Sequence, residues 1–98
     1  MPTYVSLLNW TDKGIRTVKE TTKRAKAFNS MAEKLKVKVR EIHWTMGRYD
    51  VVVVLEAPDD EAVSRLMLGL GTSGNVKSET LRAYSAREMA RIPLSVQL

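Results

Sequence analysis

Residues 51–54 are four consecutive valines, with Gly47-Arg48-Tyr49-Asp50 before them and Ala57-Pro58-Asp59-Asp60-Glu61 shortly after. A run so short, so β-branched and so sharply bounded reads as a strand. Side chains alternate across a strand, so Val51, Val53 and Leu55 point to one face of a sheet while Val52 and Val54 point to the other. The chain must therefore build a sheet whose centre is apolar on both sides.

The surrounding segments supply the rest of that sheet. Tyr4 to Trp10 is short and rich in aromatic and branched residues, and reads as a first strand. Thr11 follows as a helix N-cap, with Asp12 in the first turn where the helix dipole favours an acid. Ile15 and Val18, then Ala25, Phe28, Met31, Ala32 and Leu35, keep the spacing of an amphipathic helix. The intervening Glu20-Thr21-Thr22 is poor helix material, so a break is expected there, with a threonine recapping the second segment. Residues 37–46 form a second strand, in which Val37 and Val39 are out of phase with Ile42, Trp44 and Met46. That phase change predicts a bulge, or a strand covered on different faces along its length. Gly47 opens a hairpin into the valine strand, Asp50 to Glu56. Asp59 caps a second helix with Ala62, Val63, Leu66, Met67 and Leu70 on its buried face. Val76 to Tyr84 is a fourth strand, and Ser85 to Pro93 holds a short terminal helix.

The order β-α-β-β-α-β, with connections this short, predicts one α+β domain over residues 1–98. Its architecture is the ferredoxin-like sandwich, a four-stranded antiparallel sheet with both helices on one face. Two helices cover only one face, so Val52 and Val54 remain. Burying each is worth about 1.5 kcal/mol or slightly more. The economical cover is a second copy of the chain, packed sheet to sheet through Val52 and Val54. The alternative cover is the C-terminal tail, Ile92 to Leu98, which is apolar enough to serve.

Composition narrows the function classes. The 98 residues carry no cysteine, which removes disulfides, a thiolate nucleophile and any cysteine-based zinc site. There is no apolar run of the roughly 18 residues that a membrane span needs, and the N-terminal ten residues lack the basic start of a signal peptide. A cytoplasmic protein is expected, with no membrane association. Net charge is +5, and residues 1–40 hold ten Lys and Arg against Asp12, Glu20 and Glu33. Such a bias attracts anions or nucleic acid, although a solvated basic helix face explains it as well.

The stretches Tyr4 to Thr21, Thr45 to Val63 and Gly74 to Ser85 together resemble the GYD-domain family, small prokaryotic proteins named for a Gly-Tyr-Asp signature. Here the signature is Gly47-Arg48-Tyr49-Asp50, with an arginine inside it. The resemblance covers roughly residues 3–90. It implies a ferredoxin-like fold of the dimeric α/β-barrel type, in which two sheets pack together, and it implies no established biochemical function. Relatives of that broader fold include cofactor-free monooxygenases, haem-degrading enzymes and ligand-sensing domains, and a shared fold does not transfer those activities.

Candidate ligand-binding residues are few: Trp10, His43, Arg48, Tyr49 and Asp50. Asp is unfavourable in strands, so Asp50 at a strand edge needs a partner for its carboxylate, with Arg48 or the turn N–H groups the obvious choices. Either this hairpin binds a ligand, with Arg48 on an anion and Tyr49 in contact, or Gly47 and Asp50 simply lock the turn; the second reading is the more economical. His43, the only histidine, shares a strand face with Glu41 and Thr45. It is a candidate general base or haem ligand, but a lone strand histidine is commonly structural, and it cannot build a metal site by itself. Gly69 to Gly74 spells G-x-G-x-x-G, yet the motif closes a helix before a strand, the reverse of a dinucleotide site, so Gly71 and Gly74 read as cap and turn glycines. Trp10 is placed to line a pocket between sheet and helices. No catalytic residue, metal site or cofactor is assigned.

Three functions follow in order. The first is a homo-oligomeric binding or regulatory module for a small anionic or aromatic ligand. The second is a cofactor-free or haem-using oxygenase with Trp10, His43 and Arg48 around an apolar cavity. The third is nonspecific nucleic-acid binding through the basic half, weakened because the valine strand has no aromatic on which a base could stack.

Overall fold

The computed structural model describes residues 1–95. Strands β1 (Thr3–Trp10), β2 (Lys38–Trp44), β3 (Val51–Glu56) and β4 (Val76–Ala83) form one sheet in the order β2-β3-β1-β4, with every neighbouring pair antiparallel. Helices α1 (Asp12–Arg16) and α2 (Thr21–Lys34) follow β1, α3 (Asp60–Gly71) joins β3 to β4, and α4 (Ala86–Ala90) comes last. The result is the ferredoxin-like α+β architecture, with α2 and α3 on one face of the sheet.

The core lies between that face and the two helices. Tyr4, Leu8, Val51, Val53 and Leu55 from the central strands pack with Phe28 and Ala32 of α2 and with Val63, Leu66 and Met67 of α3. Alternation does this sorting: the buried residues of β3 are the first, third and fifth, as the valine run requires. Thr11 caps α1 by accepting the Gly14 N–H, and Asp59 caps α3 by accepting the Ala62 N–H. The first helical region does break, at a 3₁₀ turn over Val18–Glu20, a little before the expected Glu20-Thr21-Thr22, whose two threonines open α2 instead.

Two local expectations are corrected. No threonine side chain caps α2, whose N-cap position is Glu20 and carries no side-chain bond. Ile15, expected on the buried stripe, is 48% exposed, and the buried residue of α1 is Gly14 instead. A methyl group on Gly14 would stand 2.0 Å from the Asn75 carbonyl oxygen. The helix lies flat on the α3–β4 loop there, held by the Thr11 N–H donating to the same carbonyl at 3.0 Å and by Lys13 Nζ donating to Ser73 O at 2.8 Å.

The end of α2 is a Schellman turn. The Val37 N–H donates to Ala32 O at 2.9 Å, the Lys36 N–H donates to Glu33 O at 3.0 Å, and Lys36 takes φ +60°. Val37 is thereby pressed into the core before β2 begins.

The phase change in β2 is a bulge between Val39 and Glu41. Before it Val39 pairs with Leu55, and after it Ile42 pairs with Val53 and Trp44 with Val51. One extra residue therefore brings all three onto the helix-covered face, despite their mixed parity in the sequence. Met46 does not join them; it lies in the hairpin and is 98% exposed.

The other face has no cover from the described residues. Val5 pairs with Val54 and Leu81, and Leu7 with Val52, so these five residues form a continuous apolar patch. Glu41 and His43 flank it on β2, and Lys77 and Glu79 on β4. The tail expected to compete for this face does not occupy it over residues 92–95, where Leu94 is 85% exposed; residues 96–98 lie outside the described residues. No described helix is long and apolar enough to cross a membrane.

Candidate functional site: a cavity between the helices and the sheet

At the end of the sheet where β1 and β2 finish and β3 and β4 begin, α2 and α3 leave a gap over the strands. It encloses about 190 Å³. The floor is Leu8, Ile42, Val51, Val53 and Val76; the helices contribute Ala25, Phe28, Met31 and Leu70; Trp10 and Trp44 close the ends. Three small residues, Ala25, Ala27 and Gly69, are also part of the lining.

The walls are largely apolar, and most of their polar side chains have partners within the protein. Trp44 Nε1–H donates to Thr21 Oγ1 at 2.8 Å, pinning the indole to the first turn of α2. Arg24 donates from Nη1 to the Thr17 carbonyl at 3.0 Å and to Thr17 Oγ1 at 2.8 Å, and from Nη2 to the Gly14 carbonyl at 3.3 Å. Ser73 donates its hydroxyl to Leu70 O at 2.7 Å. Arg24 is the single ionisable residue among the described residues lining the cavity. Among them no carboxylate, histidine or lysine is in the wall to move a proton.

The five candidate ligand-binding residues do not gather in one place. Trp10 lines the cavity. His43 projects from the opposite face of the sheet beside Val52, 3.8 Å from the Glu41 carboxylate. Arg48 and Tyr49 sit in the hairpin, where the guanidinium lies 5.8 Å from the tyrosine ring centre. Asp50 has neither of the partners expected for it. Its Oδ2 accepts the Trp10 N–H at 2.9 Å, while its own N–H donates to Leu8 O at 2.9 Å. The hairpin signature thus extends the β1–β3 pairing past its last regular rung and fixes the backbone of a cavity-lining tryptophan. Thr45 closes the loop, donating its N–H to Asp50 O at 2.8 Å and its hydroxyl to Tyr49 O at 2.6 Å. Gly47 takes φ +108° at the tip.

Sequence reasoning missed Phe28, Met31, Ile42 and Trp44 as cavity residues, reading them as packing side chains. The one usable signal was the small-residue set Ala25, Ala27 and Gly69 on facing helices, and it has meaning only once the helices are known to face each other.

A second, more open groove of about 500 Å³ lies beside α3 and β4. It holds Tyr4, Asp60, Thr80 and Arg82. Tyr4 donates its hydroxyl to Asp60, Ser6 and Thr80 share a hydrogen bond of 2.8 Å, and Arg82 lies between the Tyr4 and Tyr84 rings at 5.7 and 4.4 Å. Burial, with the Asp60 hydrogen bond and charge adding to it, pushes the Tyr4 phenol up to about 12. Arg82 also pairs with Glu88 at 3.4 Å and so ties α4 to the sheet. The Glu88 carboxyl is held below its ordinary value, first by the Ser85 backbone N–H and then by Arg82 and Ser85 Oγ. These contacts are mutually satisfied and serve the fold.

This topology, a four-stranded antiparallel sheet with helices on one face, defines a ferredoxin-like α+β domain. The chain belongs to the GYD-domain family, whose model matches residues 4–92. It is 37% identical over 90 residues to the glutamine synthetase and cystathionine beta-lyase binding protein of Thermus thermophilus, an alignment covering 91% of this chain and 95% of that one. The crystal structure of TTHA0845 from Thermus thermophilus superposes with a TM-score of 0.56, at 24% identity, over 88% of this chain and 96% of that chain. That likeness concerns the fold.

Proposed function

We propose that this chain is a binding and regulatory module without catalysis, which pairs with a second copy through the open sheet face, holds a small molecule between helices and sheet, and acts on enzyme partners. The observation that carries the proposal is the cavity wall: a half-open, largely apolar space with no carboxylate, histidine or lysine in its described lining. Such a space offers binding energy and no acid–base chemistry. The oxygenase reading loses its constellation, because His43 and Arg48 lie outside the cavity that Trp10 lines.

Self-association is supported by the patch of Val5, Leu7, Val52, Val54 and Leu81. It is continuous, central to the sheet and rimmed by charged side chains, as an isologous interface requires. Enzyme partners are supported by the Thermus thermophilus relative, whose name gives glutamine synthetase and cystathionine beta-lyase as the proteins it binds. A cytoplasmic site of action accords with partners of that kind.

Native mass spectrometry of the freshly purified protein, compared with its denatured mass, tests the proposal. A dimer or higher multiple with additional noncovalent mass is the expected result. A bare monomer at micromolar concentration would remove the sheet-to-sheet pairing. Biolayer interferometry against purified glutamine synthetase tests the partner arm, where saturable binding is expected and a flat response counts against it.

A further inference from the structure

Resting on the cavity as the ligand site, we infer that its ligand is an uncharged molecule of one or two fused rings, aromatic or compactly apolar, with at most one or two polar atoms. Size sets the first limit. An engineered protein cavity of about 150 Å³ lined by apolar side chains admits benzene, so about 190 Å³ takes one ring with a substituent or two fused rings. The lining agrees, since Trp10, Phe28 and Trp44 are among its residues and aromatic rings pack well against one another.

Charge sets the second limit. A carboxylate or phosphate entering this space must be desolvated and needs a counter-charge. The only one in the described wall is Arg24, three of whose five N–H donors already serve the Thr17 and Gly14 carbonyls and the Thr17 hydroxyl at the end of α1. Recruiting it would orphan those acceptors and loosen α1 from α2. A cationic ligand fares no better, because no carboxylate of the described residues lines the cavity. The anionic ligand that the basic N-terminal half suggests would have to share this single guanidinium with the end of α1, whereas an uncharged ligand needs no counter-charge.

Asn75 provides the remaining specificity. Its backbone is committed, the N–H to Ser73 Oγ at 3.3 Å and the carbonyl to the Thr11 N–H at 3.0 Å. The residue lies at the cavity wall, and its side-chain amide offers both N–H donors and a carbonyl acceptor. A neutral hydroxyl, carbonyl or ring N–H matches it.

Nuclear magnetic resonance titration of the intact protein with toluene, indole and benzoate tests the inference, toluene and benzoate being one ring without and with charge. Toluene and indole are expected to shift the Trp10 and Trp44 indole N–H signals saturably, with benzoate binding at least tenfold more weakly. Ala25→Leu, which extends a side chain from α2 into the space, is expected to abolish these shifts. Gly69→Ala narrows the same cavity from α3, where its new methyl would lie 3.2 Å from Met31 Sδ, and serves if the first variant does not fold. Benzoate binding as tightly as toluene overturns the uncharged class while leaving the cavity as a site. No saturable shift from any probe, or shifts that persist unchanged in the filled variants, overturn the cavity as the ligand site altogether.

Discussion

The Asp50 carboxylate accepts the backbone N–H of Trp10 at 2.9 Å, joining the hairpin signature to the end of β1 across 40 positions of sequence. Beyond Leu8 and Val51 the two strands no longer pair regularly, and the side chain of Asp50 takes the place of a backbone carbonyl. Because the next atoms along from that N–H carry the Trp10 indole, the same bond that finishes the sheet also places one wall of the cavity. A hydrogen bond to a charged acceptor contributes about 1.5–3 kcal/mol. Asp50→Ala is expected to lose about 2 kcal/mol in urea unfolding, and Asp50→Asn, which keeps an acceptor, distinctly less. Equal stability of the alanine variant and the wild type would show that the bond is dispensable.

Gly14 is held at its position by close approach. Any Cβ there meets the Asn75 carbonyl at 2.0 Å, and backbone cannot step aside as a flexible side chain can. Gly14→Ala should therefore destabilise by about 1–3 kcal/mol, although alanine is the better helix former. The measurement is the shift in denaturation midpoint at unchanged m-value, and a stabilised variant would contradict the contact.

Lys36 bears the opposite kind of strain. It occupies the left-handed position of the Schellman turn at φ +60°, where a Cβ is crowded and glycine is not. Lys36→Gly is expected to raise stability by about 1 kcal/mol. A loss of stability would mean that the lysine side chain makes a compensating contribution.

Tyr4 makes stability depend on alkaline pH. Its phenol is raised in the folded state from the ordinary 10 to about 12, chiefly by burial and next by its bond to Asp60. The unfolded chain releases this proton first, so the contribution is complete below the ordinary value of 10 and is lost as pH climbs through about 12. Phenolate absorbance should show a step near 12 in the wild type that is missing from Tyr4→Phe. That variant should also lose less stability than the wild type over the same window; an identical decline would place the titrating group elsewhere.

Val52→Asp puts a carboxylate in the centre of the open patch, between Leu7 and His43. Light scattering after size exclusion is expected to show a monomer for this variant and a dimer or larger multiple for the wild type. A mutant oligomer of unchanged size would mean that the valine face is not where copies meet.

Much of this architecture is written in local pattern. The strand and helix order, the break at Val18–Glu20, the caps at Thr11 and Asp59 and the bulge in β2 each follow from spacing within a few residues, because alternation, helical period and capping are short-range effects. The two-sided apolarity of β3 follows in the same way from four adjacent valines. The candidate site does not. Whether Ile15 is buried depends on how α1 lies on the loop at Asn75, and whether Asp50 bonds to Arg48 or to Trp10 depends on which strand sits beside β3. The cavity is lined from two different helices, by Ala25 of α2 and Gly69 of α3, 44 positions apart in the sequence. The sequence alone thus determined the elements and the parity of their faces. Packing decided which side chains share a space, how large that space is, and that Arg24, the one ionisable residue in its described lining, already donates to the protein's own carbonyls.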